Sequence, residues 1–330
     1  MKMMDHPSFQ GYEFEREEEK QDSSVLVFRN ETGVGEMLCF EVFPGVTFSY
    51  NSLKMATCYQ QTAPMHGYIS LNYCRKGCFE VNVDGSGICY MSEGDLVISD
   101  PARCIITDTR VPQGFYEGVS IMIERIPAGE WIRENAPWIG ELIFISDEFD
   151  KRTLPISVLA NKPELWHLTE GLYTSLARSS SAYRTIKMLE LLNLLSTTMQ
   201  DETPASYFSP AVTEATQAAY RYLSRNLTEK ITADALCAKF GVSKTNFTKC
   251  FKAIYGQTPA KYLRNERMKY ASVLLKESGK SVGEIASMLG YDNASKFSAA
   301  FRSVMNECPL EYRRNVCCAD AEKCQEFKTE

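Results

Sequence analysis

Apolar positions along the first half of the chain recur at every second residue, in short runs broken by turn residues. Phe79, Val81 and Val83 alternate with Glu80 and Asn82, the period of a strand with one face in a core. Further runs at Gly67 to Asn72, Ile88 to Met91 and Leu96 to Ile98 are separated by Asp84-Gly85 and Glu93-Gly94-Asp95. From Phe40 to about Phe144 the pattern predicts short antiparallel strands at the spacing of a small barrel. The period then changes. Tyr183, Ile186, Leu189, Leu192, Leu195 and Met199 fall three or four apart, with Met188, Leu191 and Leu194 widening the stripe, so residues 162–200 are predicted helical. A helix this apolar must be covered, either by its own barrel or by a second copy. Asp201 to Pro210, rich in Pro, Ser and Thr, predicts a linker.

Beyond the linker the chain repeats itself. Phe247, Phe251, Pro259 and Tyr262 recur fifty residues later as Phe297, Phe301, Pro309 and Tyr312, whereas Gly241 recurs after forty-nine as Gly290. Each copy has the parts of a helix-turn-helix. Ser281 with Glu284 three residues on is a capping box, followed by the apolar face Ile285, Ala286 and Leu289. Gly290 ends that helix, Asp292 or Asn293 caps the next, and Phe297 and Phe301, four apart, must face the core together. The first copy repeats this with Gly241, Ser243, Phe247 and Phe251, and small residues at Cys237 and Ala286 allow close helix crossing. Between the copies, Thr258-Pro259 opens a helix that runs to about Ser278. Its length of ~30 Å is close to the ~34 Å between successive major grooves on one face of B-DNA.

Charge sharpens this picture. Residues 210–315 carry a net +8, against −12 for residues 1–209 and −2 for the tail, so the repeat segment alone is built to approach a polyanion. No apolar run reaches the length of a membrane span, and the start of the chain runs into the acidic stretch Glu13 to Glu19 without an apolar core; a cytoplasmic protein with no membrane partner is expected. The twelve cysteines are scattered without Cys-x-x-Cys spacing, and are expected to be mostly reduced. The nearest approaches to a cluster are Cys74 with Cys78, and Cys317, Cys318 and Cys324 in the tail.

Residues 212–314 resemble the DNA-binding domain of the AraC/XylS family of transcription activators. The resemblance is carried by Ile231-Thr232, Phe251-Lys252, Gly256, Pro259, Tyr262-Leu263, Arg267-Met268, Ala271 and Leu274-Leu275 in and after the first unit. In the second it is carried by Val282, Glu284-Ile285-Ala286, Leu289-Gly290-Tyr291, Ser295, Phe297-Ser298, Phe301, Pro309 and Tyr312-Arg313. Two positions depart from the family's pattern. Asn306 stands where glycine is usual, a residue that tolerates the same left-handed backbone. Ala299 stands where an arginine is frequent, which removes a base or phosphate contact from the second helix.

The family's docking implies that Thr245, Thr248 and Lys249 reach base edges, and that Lys244 and Lys252 serve phosphates. On the second helix the corresponding set is Ala294, Ser295, Lys296 and Ser298, with Arg302 beyond. Ser92-Glu93-Gly94-Asp95-Leu96 and Asp100-Pro101 resemble the cupin-like sensing barrel common in the family, for which His66, Tyr73 and Arg75 are the candidate effector contacts. The resemblance thus implies an α+β chain: residues 1–155 a cupin-like antiparallel barrel, 156–209 a helical dimerisation segment and linker, 210–315 an all-α domain with two helix-turn-helix units, and 316–330 a tail. It implies an effector-responsive activator that binds double-stranded DNA as a homodimer and works with RNA polymerase. The three histidines, His6, His66 and His167, lie far apart with no His-x-His spacing, so no metal, cofactor or enzymatic activity is expected. A thiol- or metal-responsive regulator, and a cupin enzyme with accessory DNA binding, stand as alternatives.

Overall fold

The computed structural model describes residues 3, 12–20, 22–58, 63–139, 142, 149, 156–160, 163–175, 181–198, 203–204, 206–229 and 231–315. His6, Met199 and the tail cysteines lie outside them. The chain divides into two compact units, Met1–Pro210 with Ala253–Gly256, and Ala211–Lys252 with Gln257–Glu330.

The first unit is built on strands β1 (Phe14–Lys20), β2 (Ser23–Asn30), β3 (Gly33–Phe43), β4 (Val46–Lys54), β5 (Tyr68–Val83), β6 (Gly87–Ser92), β7 (Asp95–Ser99), β8 (Ile106–Arg110), β9 (Tyr116–Glu124) and β10 (Ile156–Ala160). Two short segments, β11 (Thr203–Pro204) and β12 (Tyr207–Phe208), follow later in the chain. The sheet begins well before Phe40. Strand β1 reads Phe-Glu-Arg-Glu-Glu-Glu-Lys, and its charges hide the strand period while protecting an edge from further pairing.

The strand order is β1-β2-β3-β4-β9-β5-β7-β10-β11, with β6 and β8 pairing only on β5. Among the described residues no ladder joins β1 to β11, so the sheet is open where closure was expected. The two strands expected on either side of Gly77 are one, β5, which changes partners along its length. Its first part pairs with β9 and β7, and Cys78 to Val83 pair with β6 and β8. A register shift between Cys74 and Lys76 marks the change, and Gly77 there has φ 86° with Phe115 O only 2.5 Å from where a Cβ would sit.

Both faces of the sheet are covered. One carries Phe48, Ile69, Leu71, Tyr73, Val119 and Ile121 against helices α1 (Arg125–Asn135), α2 (Pro163–Ser175) and α3 (Ser181–Thr198). The strand pattern expected to run to Phe144 stops at α1, whose Ala128, Gly129 and Ile132 are buried and whose Pro127 sits in the first turn, where its missing N–H costs nothing. The opposite face carries Leu26, Met37, Leu53, Cys74 and Val97, closed over by Val83, Cys89 and Met91. Helix α3 packs on its own unit through Met188, Leu191, Leu192 and Leu195, while Ile186 is 62% exposed beside Trp138 at 77%.

The second unit is helical: α4 (Pro210–Arg225), α5 (Ala233–Phe240), α6 (Lys244–Tyr255), α7 (Pro259–Glu277), α8 (Val282–Met288), α9 (Ala294–Met305) and a last helix over 309–315. No described helix is long and apolar enough to cross a membrane.

Candidate nucleic-acid interface

Each helix pair is set by local chemistry that the repeat carries twice. Thr232 caps α5 by accepting from Ala235 N at 3.1 Å, Gly241 follows at φ 69°, and Ser243 Oγ accepts from Asn246 N at the start of α6. In the second pair the capping box is complete. Ser281 Oγ accepts from Glu284 N at 3.2 Å, and Glu284 Oε2 accepts from Ser281 N at 2.7 Å, which holds the Glu284 carboxyl below its ordinary range. Gly290 takes φ 78°, and Asn293 rather than Asp292 caps α9, accepting from Ser295 N and Lys296 N.

These turns leave Phe247 and Phe251 fully buried, with ring centroids 5.8 Å apart, and Phe297 and Phe301 likewise at 6.0 Å. Burying one face decides what the other presents. On α6 the side chains of Lys244, Thr245, Lys249 and Lys252 are exposed and Thr248 is half-buried. On α9 the matching positions Ala294, Ser295, Ala299 and Arg302 are exposed and Ser298 is half-buried; Lys296 is exposed as well. The two helices offer the same surface in shape, and different donors on it: Lys249 on α6 meets its counterpart in Ala299. Lys244 is held by Asp234, with Nζ to Oδ1 2.9 Å, an exposed pair that a phosphate would have to displace.

Helix α7 belongs to both pairs. Tyr262, near its start, packs on Phe251 at 5.8 Å and on Tyr220 of α4 at 5.1 Å, and its hydroxyl meets Ser224 Oγ at 2.9 Å. Its second half gives Met268, Ala271 and Leu275 to a core with Ile285, Leu289, Phe297 and Phe301. Two arginines tie the ends back: Arg267 Nε donates to Leu227 O at 2.7 Å, and Arg313 Nε to Leu275 O at 3.1 Å. The sequence pattern left α4 unassigned and gave these two arginines no structural role. The spacing of three, three and four residues between Thr213, Thr216, Ala219 and Leu223, which are its buried face, is the signal that locates α4.

The candidate effector residues of the first unit do not come together. His66 lies in an exposed turn before β5, not in the strand, near Arg103 and Arg125. Tyr73 is buried in the helix-facing core. Arg75 is engaged by Glu170 and Glu117, each at 2.7 Å, and stacks on the Tyr173 ring at 4.4 Å. Neither Tyr73 nor Arg75 lines the cavity that opens on the other face of the same strands, because one residue of strand parity separates the two faces. That cavity is lined by Ser70 and Asn72 of β5, Ser49 and Asn51 of β4, and Ser120 of β9, among apolar side chains that include Cys89 and Cys104. Burial pushes these two thiols up to about 12 and about 11, away from the reactive thiolate. Among the described residues no group of three or more His, Cys, Asp or Glu is placed to hold a metal ion.

Residues 236–315 match the family model described as a helix-turn-helix domain. The chain is 33% identical over 97 residues to the MmsAB operon regulatory protein of Pseudomonas aeruginosa, covering 29% of this chain and 32% of that protein. It is 33% identical over 93 residues to the probable transcription factor PqrA of Proteus vulgaris, covering 28% of this chain and 75% of that one. A solved transcriptional regulator from Chromobacterium violaceum, described by its AraC-type DNA-binding domain, is 27% identical, with coverage of 31% of this chain and 92% of that one and a TM-score of 0.30. The chain spans about a third of the length of the MmsAB regulator. With the same helix-turn-helix unit built twice around one connecting helix, the chain belongs to the AraC/XylS family of transcription regulators.

Proposed function

We propose that this chain is a sequence-specific, effector-responsive activator that binds double-stranded DNA as a homodimer and acts with RNA polymerase. Helices α6 and α9 enter successive major grooves, Thr245, Thr248 and Lys249 read bases on the first, and Lys244, Lys252, Lys296 and Arg302 hold phosphates, with Ser295 and Ser298 beside them. The observation that carries this reading is the repeated exposure pattern of α6 and α9 on either side of α7, whose 19 residues span ~28 Å. Residues 1–155 act as the cupin-like sensor, with the cavity as the effector site. Residues 156–209 supply the pairing helices, supported by the exposed Ile186, which has the exposed Trp138 of the turn Pro137–Ile139 beside it.

The test is binding of the full chain to DNA from its own chromosomal neighbourhood and to scrambled DNA over a salt series. A steep fall of affinity with salt is expected for both, because binding releases counterions, with a preference of at least a thousandfold for one site. Salt-independent or absent binding by folded protein overturns the reading.

A further inference from the structure

The cavity of the first unit has one polar wall. Ser49 stands opposite Ser120, and Ser120 opposite Asn72, on the adjacent strands β4, β9 and β5, while Ser70 faces Ser99 of β7. Three of these side chains, Ser120, Asn72 and Ser70, form one chain of hydrogen bonds with Asn51 of β4. Asn51 Nδ2 donates to Ser120 Oγ at 2.8 Å, Ser120 Oγ to Asn72 Oδ1 at 2.7 Å, and Asn72 Nδ2 to Ser70 Oγ at 2.8 Å. Along this chain Asn72 turns its oxygen to Ser120, and Ser120 accepts from Asn51. Asn51 Oδ1 is left at the head of the chain as an acceptor with no donor among the described residues, on a residue 5% exposed that lines the cavity. A buried carbonyl oxygen without a partner costs free energy, and native proteins keep few of them.

The other walls say what kind of molecule supplies that donor. Among the described residues no charged side chain lines the cavity, so an anion or cation would be desolvated there without a partner. Apolar surface comes from Leu53, Phe79 and four methionines, Met37, Met65, Met91 and Met122, whose flexible side chains adapt to a guest. The volume is about 120 Å³, near the roughly 150 Å³ at which an engineered apolar cavity takes up benzene. We propose that this cavity binds a neutral, ring-sized organic molecule bearing a hydroxyl group, which donates to Asn51 Oδ1 while the apolar body lies against the methionines. The proposal rests on the effector reading above for its regulatory meaning, and on the cavity alone for its chemistry.

Phenol, toluene and benzoate share a ring and differ in the group the cavity must judge. An apolar cavity without an acceptor prefers toluene, because phenol sheds its water for nothing. Titration calorimetry and thermal unfolding of the full chain at neutral pH are expected to show phenol binding at least as tightly as toluene, and benzoate not binding. Asn51→Ala is expected to move the phenol-to-toluene ratio about tenfold toward toluene, and Ser120→Ala to move it the same way by loosening Asn51. Should Asn51→Ala fail to fold, the ranking in the unaltered protein decides. Preference for toluene, or a ratio indifferent to position 51, overturns the hydroxyl assignment. Preference for benzoate overturns the neutral class, and binding of none of the three overturns the site. Operator affinity measured with phenol bound separates the two readings: a change supports the effector role, and tight phenol binding with unaltered affinity overturns that role while the ligand assignment stands.

Discussion

Asn306 holds φ 61° at the end of α9, where Gly256, fifty residues earlier at the end of α6, holds φ 69°. Asn306 is the one non-glycine residue with positive φ among the described residues. The C-cap of the second helix is thus the same turn built with a side chain, because asparagine enters the left-handed region at low cost. Asn306→Gly is expected to be neutral or slightly stabilising, and Asn306→Ala to cost about 1 kcal/mol. Gly256→Ala is expected to cost a similar amount, since a Cβ there meets nothing within 4 Å and only the backbone is strained. Urea unfolding of the three variants checks this; an Asn306→Ala variant as stable as the parent contradicts it.

The recognition helices are expected to contribute unequally. Lys249→Ala removes a base donor from the richer helix and is expected to cost about 1–3 kcal/mol on the target site, with relaxed preference at one base pair. Lys296→Ala, on the helix that carries Ala299, is expected to weaken target and scrambled DNA alike and to lower the salt slope by about one. Gel-shift titrations over a salt series distinguish the two, and equal losses of specificity refute the asymmetry.

Pairing of two copies is expected to run through the exposed side of α3 and not through its buried stripe. Leu189 and Leu192 are 8% and 1% exposed within their own unit, so charges there would unfold it. Ile186→Glu with Trp138→Ala changes only exposed positions and is expected to give a folded monomer with weaker operator affinity. Sedimentation velocity at micromolar concentration reads the outcome, and a parent chain that sediments as a monomer refutes the arrangement.

Glu80 supplies a pH test. Burial raises its carboxyl above the ordinary range, against the Tyr90 hydrogen bond and Arg110, which lower it. The folded state therefore holds this proton more tightly than the unfolded chain, and ionisation of Glu80 costs stability as pH rises through the unfolded and then the folded value. Glu80→Gln, which imitates the neutral acid, is expected to raise the melting temperature at pH 7 and to leave it unchanged near pH 3, where Glu80 is protonated in both states. A variant less stable than the parent at pH 7 would show that the Arg110 pairing outweighs desolvation.

The helix pairs of the second unit were legible because their signals have one solution. Phenylalanines four apart beyond a capped turn can face only one way, and Phe247, Phe251, Phe297 and Phe301 do so. The first unit was legible as strands and misread as to face. In Ile69-Ser70-Leu71-Asn72-Tyr73 the rule of apolar inside and polar outside fails, since the apolar set packs on helices and the small polar set lines a cavity. The same alternation over Phe48-Ser49-Tyr50-Asn51 repeats the ambiguity, and only the position of α1, α2 and α3 resolves it. Barrel closure was not legible either, because it depends on pairing between strands far apart in the chain.

Sharing α7 between two cores turns length itself into a heritable constraint. One residue inserted near the middle of α7 would advance everything after it by 1.5 Å and swing α9 by about 100° around the axis, changing where Ser295 and Lys296 stand relative to Thr245 and Lys249. The turn between paired helices is different: Gly241 recurs after forty-nine residues and the phenylalanines after fifty, a change of one residue absorbed between Gly290 and Phe297. Insertions and deletions are therefore expected to survive in that turn and to be lethal to binding in α7, so a deletion scan would trace the connector as a silent-free interval of the gene.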